Sequence, residues 1–239
     1  MKRQRDISLI VVFTILALLL RLWTINSDLW LDEIITLVKY MRLSPFEAAT
    51  TFHAANQHVL NSVLGSISIH LFGESSWTVR LPALVFGVAT IPVFFCLARA
   101  VTERREAILA TIFMTVAYHQ VWFSQNARGY SAMVFFTVLS TLFLVRWLDE
   151  RNTPGRRDWL WFSLCGGLGM LSLLNYAFVL VGQFLAALFD FGNKRQWNLV
   201  RLLVLCGVLV VILTLLGYSA TLPAMLKYFT RGGASAGWQ

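Results

Sequence analysis

The feature that most constrains this chain is its succession of long apolar stretches. A bilayer core of about 30 Å requires about 20 apolar residues per helical crossing, and seven stretches are predicted to cross. They cover residues 7–25, 82–100, 107–123, 131–148, 159–174, 176–190 and 198–217. The pair between 159 and 190 is short and is predicted to form a hairpin that turns near Asn175 and Tyr176. Because hydrophobic residues make up 57% of the chain and charged residues only 13%, an ordinary soluble domain is excluded.

The predicted fold class is all-α, a polytopic transmembrane helical protein. The net charge of +8 does not indicate nucleic-acid binding, because the Lys and Arg residues occupy alternate helix ends rather than one face. Most of these cations lie on the side of the amino terminus, which the positive-inside rule places in the cytoplasm. The first apolar stretch follows Lys2 and Arg3 without a small-residue cleavage site, so we interpret it as a retained signal anchor.

Residues 26–80 form the longest polar interval and are predicted to be an outer loop. Apolar residues recur at helical spacing from Asp32 onward, which predicts an amphipathic helix on the membrane surface. Ser44, Pro45 and Glu47 form a capping-box pattern that predicts a second short helix. Residues 59–72 are apolar but too short to cross comfortably, and we interpret them as an interfacial or half-inserted helix. The predicted organisation is a transmembrane module at 1–217 and an outer tail at 218–239, the start of a second outer loop.

The acidic pair Asp32 and Glu33 is the first candidate for chemistry. Acidic residues also stabilise helix starts, and that simpler explanation has equal standing when the pair is considered alone. Trp30 and Leu31 precede the pair, however, and a carboxylate at a lipid boundary has reduced solvation. Reduced solvation raises its basicity toward that of a general base.

Arg128 is the second candidate, in the polar segment 124–130 between two apolar stretches. Snorkelling to the membrane surface is the simpler explanation. An arginine near the membrane plane usually has a partner, however, and its planar fork suits a phosphate. Gly129 allows a close approach of the backbone, and Tyr130 offers a hydroxyl group.

Polar residues also precede the interfacial helix. Gln57, His58, Asn61 and Arg80 are predicted to bind substrate, Arg80 through a lipid phosphate. An interfacial anchor explains Arg80 equally well. A lone His more often caps a helix than binds a metal, but His58 is a candidate ligand for a divalent cation. The three cysteines lie in separate apolar stretches, which argues against a disulfide or a zinc knuckle.

Four segments together resemble the GT-C glycosyltransferases, and most closely the bacterial branch similar to dolichyl-phosphate-mannose protein mannosyltransferases and the lipid A aminoarabinose transferase. These are Leu29-Trp30-Leu31-Asp32-Glu33, Asn56-Gln57-His58, the segment from Leu71 to Pro82, and Ser124-Gln125-Asn126-Ala127-Arg128-Gly129-Tyr130. Their order and spacing cover roughly residues 28–200.

The resemblance implies an enzyme of the bacterial plasma membrane with an extracytoplasmic active site. Such an enzyme moves a sugar from a polyprenyl-phosphate donor to a lipid, protein or glycan acceptor. The resemblance assigns the catalytic base to Asp32, with Glu33 beside it, and places His58, Arg128 and Tyr130 near the substrate, the last two at the carrier phosphate. Direct attack opposite the phosphate predicts inversion, with Arg128, and a divalent cation near His58, stabilising the leaving group.

Two departures from the family pattern stand out: Val59 follows His58 where proline is common, and the chain is shorter than family members usually are. Two other classes therefore stay open. One is a lipid or solute transporter subunit, although transporters usually place charges near the midplane and show related halves. The other is a non-catalytic membrane scaffold.

Overall fold

The computed structural model describes residues 2–53, 57–149 and 157–230, and all regular secondary structure in these ranges is helical, which confirms the all-α class. The α-helices are α1 (Lys2–Leu22), α2 (Leu31–Thr36), α3 (Pro45–Thr50), α4 (Val59–Phe72), α5 (Ser76–Val101), α6 (Arg104–Val116), α7 (Tyr118–Ser124), α8 (Tyr130–Leu148), α9 (Asp158–Ser172), α10 (Tyr176–Asn193), α11 (Trp197–Tyr218) and α12 (Leu222–Thr230). A π-helical segment, Leu37–Met41, continues α2.

Four of the described helices are long and apolar enough to cross a membrane, namely α5, α8, α10 and α11, and the bent pair α6 and α7 makes a fifth if it is one span. α1 has 21 residues but carries charged residues at both ends. α9 has 15 residues, about 22 Å of helix, which is short for a crossing. The hairpin turn between α9 and α10 is where the sequence predicts it. Crossings by α1 and α9 stay predictions, so the count of seven is not confirmed.

The predicted span 107–123 is broken at Ala117, where the axis bends by 52°. Ala117 has an extended backbone, with φ −58° and ψ 123°. In an unbroken helix the carbonyl of Thr115 would accept from the amide four residues later. Arg21 Nη1 donates to that carbonyl instead, at 3.4 Å. A side chain of α1 thus satisfies a carbonyl near the break, which the local sequence does not signal with Pro or Gly.

Contacts between helix termini define two ends of the bundle. At one end, Asp6 of α1 pairs with Arg104 of α6 at 2.7 Å; we call this the opposite end. At the other, Gln125 after α7 donates to the Arg21 carbonyl near the end of α1 at 3.0 Å. The described residues of the first loop, 23–53 and 57–75, lie at this second end, which we call the site end. The tail helix α12 also lies there, since its Tyr228 ring is 5.6 Å from that of Phe52.

The loop helices pack on the site end. The predicted capping box is confirmed, with Ser44 Oγ accepting from the Glu47 amide and Glu47 Oε2 accepting from the Ser44 amide. The α2 and π segment buries one face, including Leu37 and Met41, in a cluster with residues of α4 and α5. Its other face leaves Leu31, Ile34 and Val38 exposed. Only this second face is available to a membrane surface.

Candidate active site

Asp32 and Arg128 meet at the site end. Arg128 Nη1 lies 2.8 Å from Asp32 Oδ2. The Arg128 side chain is only 11% exposed, whereas that of Asp32 is 59% exposed. The two residues are far apart in sequence, and the structure brings them together, in agreement with the family resemblance that places both near the substrate. The Arg128 cation is thus largely surrounded by protein, whereas the Asp32 carboxylate is open to the surroundings.

His58 is a hydrogen-bond partner of the Arg128 guanidinium. Arg128 Nε donates to His58 Nε2 at 3.1 Å, so the ring nitrogen that accepts must be unprotonated. Burial, and next the positive charge of Arg128, lower the pKa of His58 to about 3, while Asp32 opposes the shift. His58 is therefore neutral near pH 7 and serves Arg128 as an acceptor.

Tyr130 opens α8 beside this pair. Its ring centroid is 5.8 Å from Arg128 Cζ and 6.2 Å from the His58 ring. The Phe123 ring lies on the same tyrosine at 4.6 Å. Aromatic contacts therefore hold the guanidinium laterally while His58 holds its Nε.

Glu33 and Arg80 form a second ion pair in a different environment. Both side chains are buried, and the pair is bidentate, with Arg80 Nε 2.9 Å from Glu33 Oε1 and Nη2 2.7 Å from Oε2. Glu33 Oε2 also accepts from the Trp30 amide at 2.9 Å. The terminal nitrogens of Arg80 donate further to the backbone carbonyls of Ile25, Ser27 and Asp28. This pair ties the first loop to α5.

The predicted span 82–100 lies inside α5, which extends six residues further toward the amino terminus. α5 begins at Ser76, because Thr78 Oγ1 accepts from the Ser75 amide and caps the helix. Arg80 is consequently inside the first turns of α5 and points inward, where it pairs with Glu33. A role for Arg80 in contacting a lipid phosphate stays a prediction, and its buried setting gives it no open face.

The loop 125–129 is fixed by three contacts. The Ala127 amide donates to Glu33 Oε1 at 2.7 Å, and Asn61 Nδ2 donates to the Ala127 carbonyl at 3.0 Å. Gly129 makes the close approach that glycine permits, since a Cβ there would lie 2.0 Å from the Ser172 carbonyl oxygen. Glu33 and Asn61 thus position the backbone next to Arg128 rather than face solvent.

Gln57 points away from the Arg128 pair. Its Nε2 donates to the carbonyls of Thr51 and Ala48, at 2.5 and 3.3 Å. These bonds connect Gln57 to the carboxyl-terminal part of α3. Asn56, which belongs to the same predicted motif, lies outside the described residues. Substrate binding by Gln57 stays a prediction.

The residues around His58 do not fit a divalent cation. Within the described ranges there is no group of three or more His, Cys, Asp or Glu side chains placed to hold one. The two candidate ligand atoms, His58 Nε2 and Asp32 Oδ2, already accept hydrogen bonds from the guanidinium of Arg128. A cation between them would face the positive charge of Arg128, so no chemical step is assigned to a metal.

Arg21 is the residue that sequence reasoning missed. Its side chain is 1% exposed, and it donates to Ser124 Oγ at 3.1 Å and to the Ala17 carbonyl at 3.1 Å. Together with its bond to the Thr115 carbonyl, it joins α1 to the bent pair that leads into the 125–129 loop. In the sequence it is an ordinary basic residue at the end of an apolar stretch, and nothing local signals its burial.

Residues 60–218, well over half of the chain, match the family model described as dolichyl-phosphate-mannose-protein mannosyltransferase. The chain belongs to this family. It is accordingly an integral membrane glycosyltransferase of the GT-C type. No curated protein and no solved structure matches the sequence. The family match includes Asn61, Arg80, Arg128 and Tyr130 but begins after Asp32, Glu33, Gln57 and His58. The roles of Asp32, Glu33, Gln57 and His58 are therefore inferred from their geometry and not from the family match.

Proposed function

We propose that this protein transfers a sugar from a polyprenyl-phosphate-linked donor to an acceptor hydroxyl or amine, with inversion at the anomeric carbon. Asp32 is the general base and Arg128 binds the donor phosphate. The reaction takes place at the site end, on the extracytoplasmic face, with the amino terminus in the cytoplasm of a bacterium. The single observation that carries the proposal is the 2.8 Å contact between Asp32 and the largely buried Arg128 in a chain of this family.

The difference in side-chain exposure favours Asp32 over Glu33 as the base. The Asp32 carboxylate is more than half exposed and is accessible to an acceptor. Glu33 is completely buried and accepts from Arg80, Trp30 and Ala127. Its carboxylate has no open side for a substrate, so its part in the reaction is to position its neighbours.

Burial makes Arg128 suitable for a phosphate. Its fork is held by His58 at Nε and flanked by Tyr130, so little side-chain freedom is lost when an anion binds. A bound phosphate competes with Asp32 for this guanidinium. The competition loosens the ion pair and leaves the Asp32 carboxylate to accept a proton from the acceptor, which links donor binding to the proton transfer.

The chemical step balances without a further reactant. The acceptor oxygen or nitrogen gives its proton to the Asp32 carboxylate and forms a bond to the anomeric carbon. The bond between that carbon and the phosphate oxygen breaks on the opposite face, and its electron pair leaves with the polyprenyl phosphate. Arg128 stabilises the charge that develops on the leaving phosphate, which needs no general acid.

A transfer assay in vesicles tests this proposal. The purified full chain is reconstituted with polyprenyl-phosphate [14C]mannose and bacterial membranes as the acceptor source, and label is measured in lipid, protein and glycan fractions. We expect transfer by the wild type and almost none by Arg128→Ala. NMR of the product is expected to show the anomeric configuration opposite to that of the donor. Retention of configuration, or near-normal transfer by Arg128→Ala, would refute the mechanism.

The same assay separates the competing classes. A scaffold would give no transfer in either variant, and a transporter would move the donor across the vesicle membrane without breaking its sugar–phosphate bond. The position of the charged pair at a bundle end, among loop residues, favours the enzyme over a transporter with midplane charges.

A further inference from the structure

We propose that a groove at the opposite end of the bundle binds an anionic phospholipid, with its phosphate on Arg99 and Arg146. This site lies at the other end of the helices from Asp32 and Arg128 and does not depend on the proposed reaction. The groove has a cavity volume of about 560 Å³. It lies between α1, α5 and α8, and its lining includes Asp6, Ile10, Phe95, Cys96 and Leu142 besides the two arginines.

Charge is the first argument. Arg99 Nη1 donates to the Thr102 carbonyl at 3.1 Å, and Arg146 lies 6.0 Å from the Phe143 ring. Neither guanidinium pairs with a carboxylate in residues 2–53, 57–149 and 157–230. The one acidic side chain that lines the groove, Asp6, is already neutralised by Arg104. The two arginine charges in the groove therefore have no carboxylate counterion there. An anionic headgroup neutralises them better than a zwitterionic headgroup does.

The shape of the groove is the second argument. Its walls are formed by apolar side chains such as Ile10 and Phe95, and both arginines stand near the carboxyl-terminal ends of their helices. A ligand that fits has an anionic head at the helix ends and acyl chains that run along the helices toward the middle of the bundle. Basic pockets between transmembrane helices are typical binding sites for phospholipid headgroups.

Cys96 provides a native reporter for this site. It is exposed and lines the groove, whereas Cys165 and Cys206 are buried elsewhere. The purified full chain in detergent is treated with N-ethylmaleimide, with and without dioleoyl-phosphatidylglycerol or dioleoyl-phosphatidylcholine. We expect the anionic lipid to slow alkylation of Cys96 and the zwitterionic lipid to have little effect. Equal protection by the two lipids would mean non-specific lipid coating and would overturn the proposal.

Two double variants with the same loss of charge test the arginines. Arg99→Gln with Arg146→Gln is expected to weaken phosphatidylglycerol binding, measured by Cys96 protection and native mass spectrometry, by about tenfold or more. The control is Arg105→Gln with Arg201→Gln, which removes two exposed arginines near the same end but outside the groove. We expect the control to bind as the wild type does. Equal weakening in both would reduce the effect to net charge and refute the site.

A third variant keeps both arginines and fills the groove. Ile10→Trp is expected to abolish retention of phosphatidylglycerol in native mass spectra, because the indole occupies the space for an acyl chain. If lipid remains bound to Ile10→Trp as to the wild type, the groove is not the site. This variant also decides the matter if the arginine double variant fails to fold.

Discussion

Adjacent residues Asp32 and Glu33 make ion pairs of nearly the same length in opposite environments. Glu33 and Arg80 meet at 2.7 Å with both side chains buried, and Asp32 and Arg128 meet at 2.8 Å with the carboxylate more than half exposed. A buried pair is costly to break because the remaining charge has no water around it, whereas an exposed pair contributes about 0–1 kcal/mol. The two neighbouring carboxylates therefore differ in environment. Glu33 is enclosed by the fold, whereas Asp32 is exposed to the surroundings, as its proposed role as the base requires.

The largest effect is expected from breaking the buried pair. Glu33→Ala leaves Arg80 charged and buried, which should lower the free energy of unfolding by roughly 3–5 kcal/mol. Thermal unfolding in detergent measures the loss. The matched control is Glu74→Ala, which breaks the exposed Arg42–Glu74 pair, also 2.7 Å long, and should lower stability far less because water solvates the remaining charge. Similar losses in both variants would show that burial does not distinguish the pairs.

Asp32→Asn should have the converse effect. We expect stability to fall much less than in Glu33→Ala, because the Asp32 carboxylate is 59% exposed and the Asn amide oxygen still accepts from the largely buried Arg128. Transfer should fall about a hundredfold or more, because the base is gone. Asp28→Asn, which neutralises an exposed carboxylate four residues earlier, should leave both quantities unchanged. A variant of Asp32 that unfolds early but transfers sugar normally would reverse the assignment of the two acidic residues.

Gly129→Ala tests whether the loop next to Arg128 must be held in place. The added Cβ would lie 2.0 Å from the Ser172 carbonyl oxygen and 3.3 Å from His58 Cβ, so the loop has to move. A displacement of about 1 Å near the reacting groups can reduce the rate by up to about a hundredfold. Gly182→Ala is the control, since a Cβ there meets nothing within 4 Å. Normal transfer by Gly129→Ala would show that Arg128 needs no fixed backbone.

The smallest effect concerns pH and His58. The pKa of His58 in the folded protein, about 3, is below its usual value of 6.5, so between these two pH values the unfolded chain carries a proton that the folded protein does not. Stability should therefore fall as pH drops below about 6.5, by on the order of 1 kcal/mol per pH unit from this group. His58→Gln keeps an acceptor for Arg128 without titrating and should show a flatter profile of melting temperature between pH 7.5 and 5. His53→Gln, at an exposed site, is the control, and an equally steep profile in His58→Gln would contradict the assignment.

Some of these contacts could be predicted from the sequence, and others could not. The capping box at Ser44 and Glu47 is local chemistry, and it was predictable because its partners are three residues apart. The proximity of Asp32 and Arg128 was implied by the family resemblance, which places both residues near the substrate. The pairing of Glu33 with Arg80 was not, because it depends on where α5 begins and on packing across 47 residues. The Thr115 carbonyl beside the bend at Ala117 accepts from Arg21, whose burial is a tertiary effect that no local pattern indicates.

A double-mutant cycle on sugar transfer tests the central claim that Asp32 and Arg128 act together on one lipid-linked donor. Asp32→Asn, Arg128→Gln and the double variant are compared with the wild type in the same vesicles, at equal amounts of folded protein. We predict that each single change lowers transfer about a hundredfold or more and that the double variant is only slightly worse, because residues that act as a unit are not additive. Near-normal transfer by either single variant, or a double variant whose loss is the product of the two single losses, would contradict the claim.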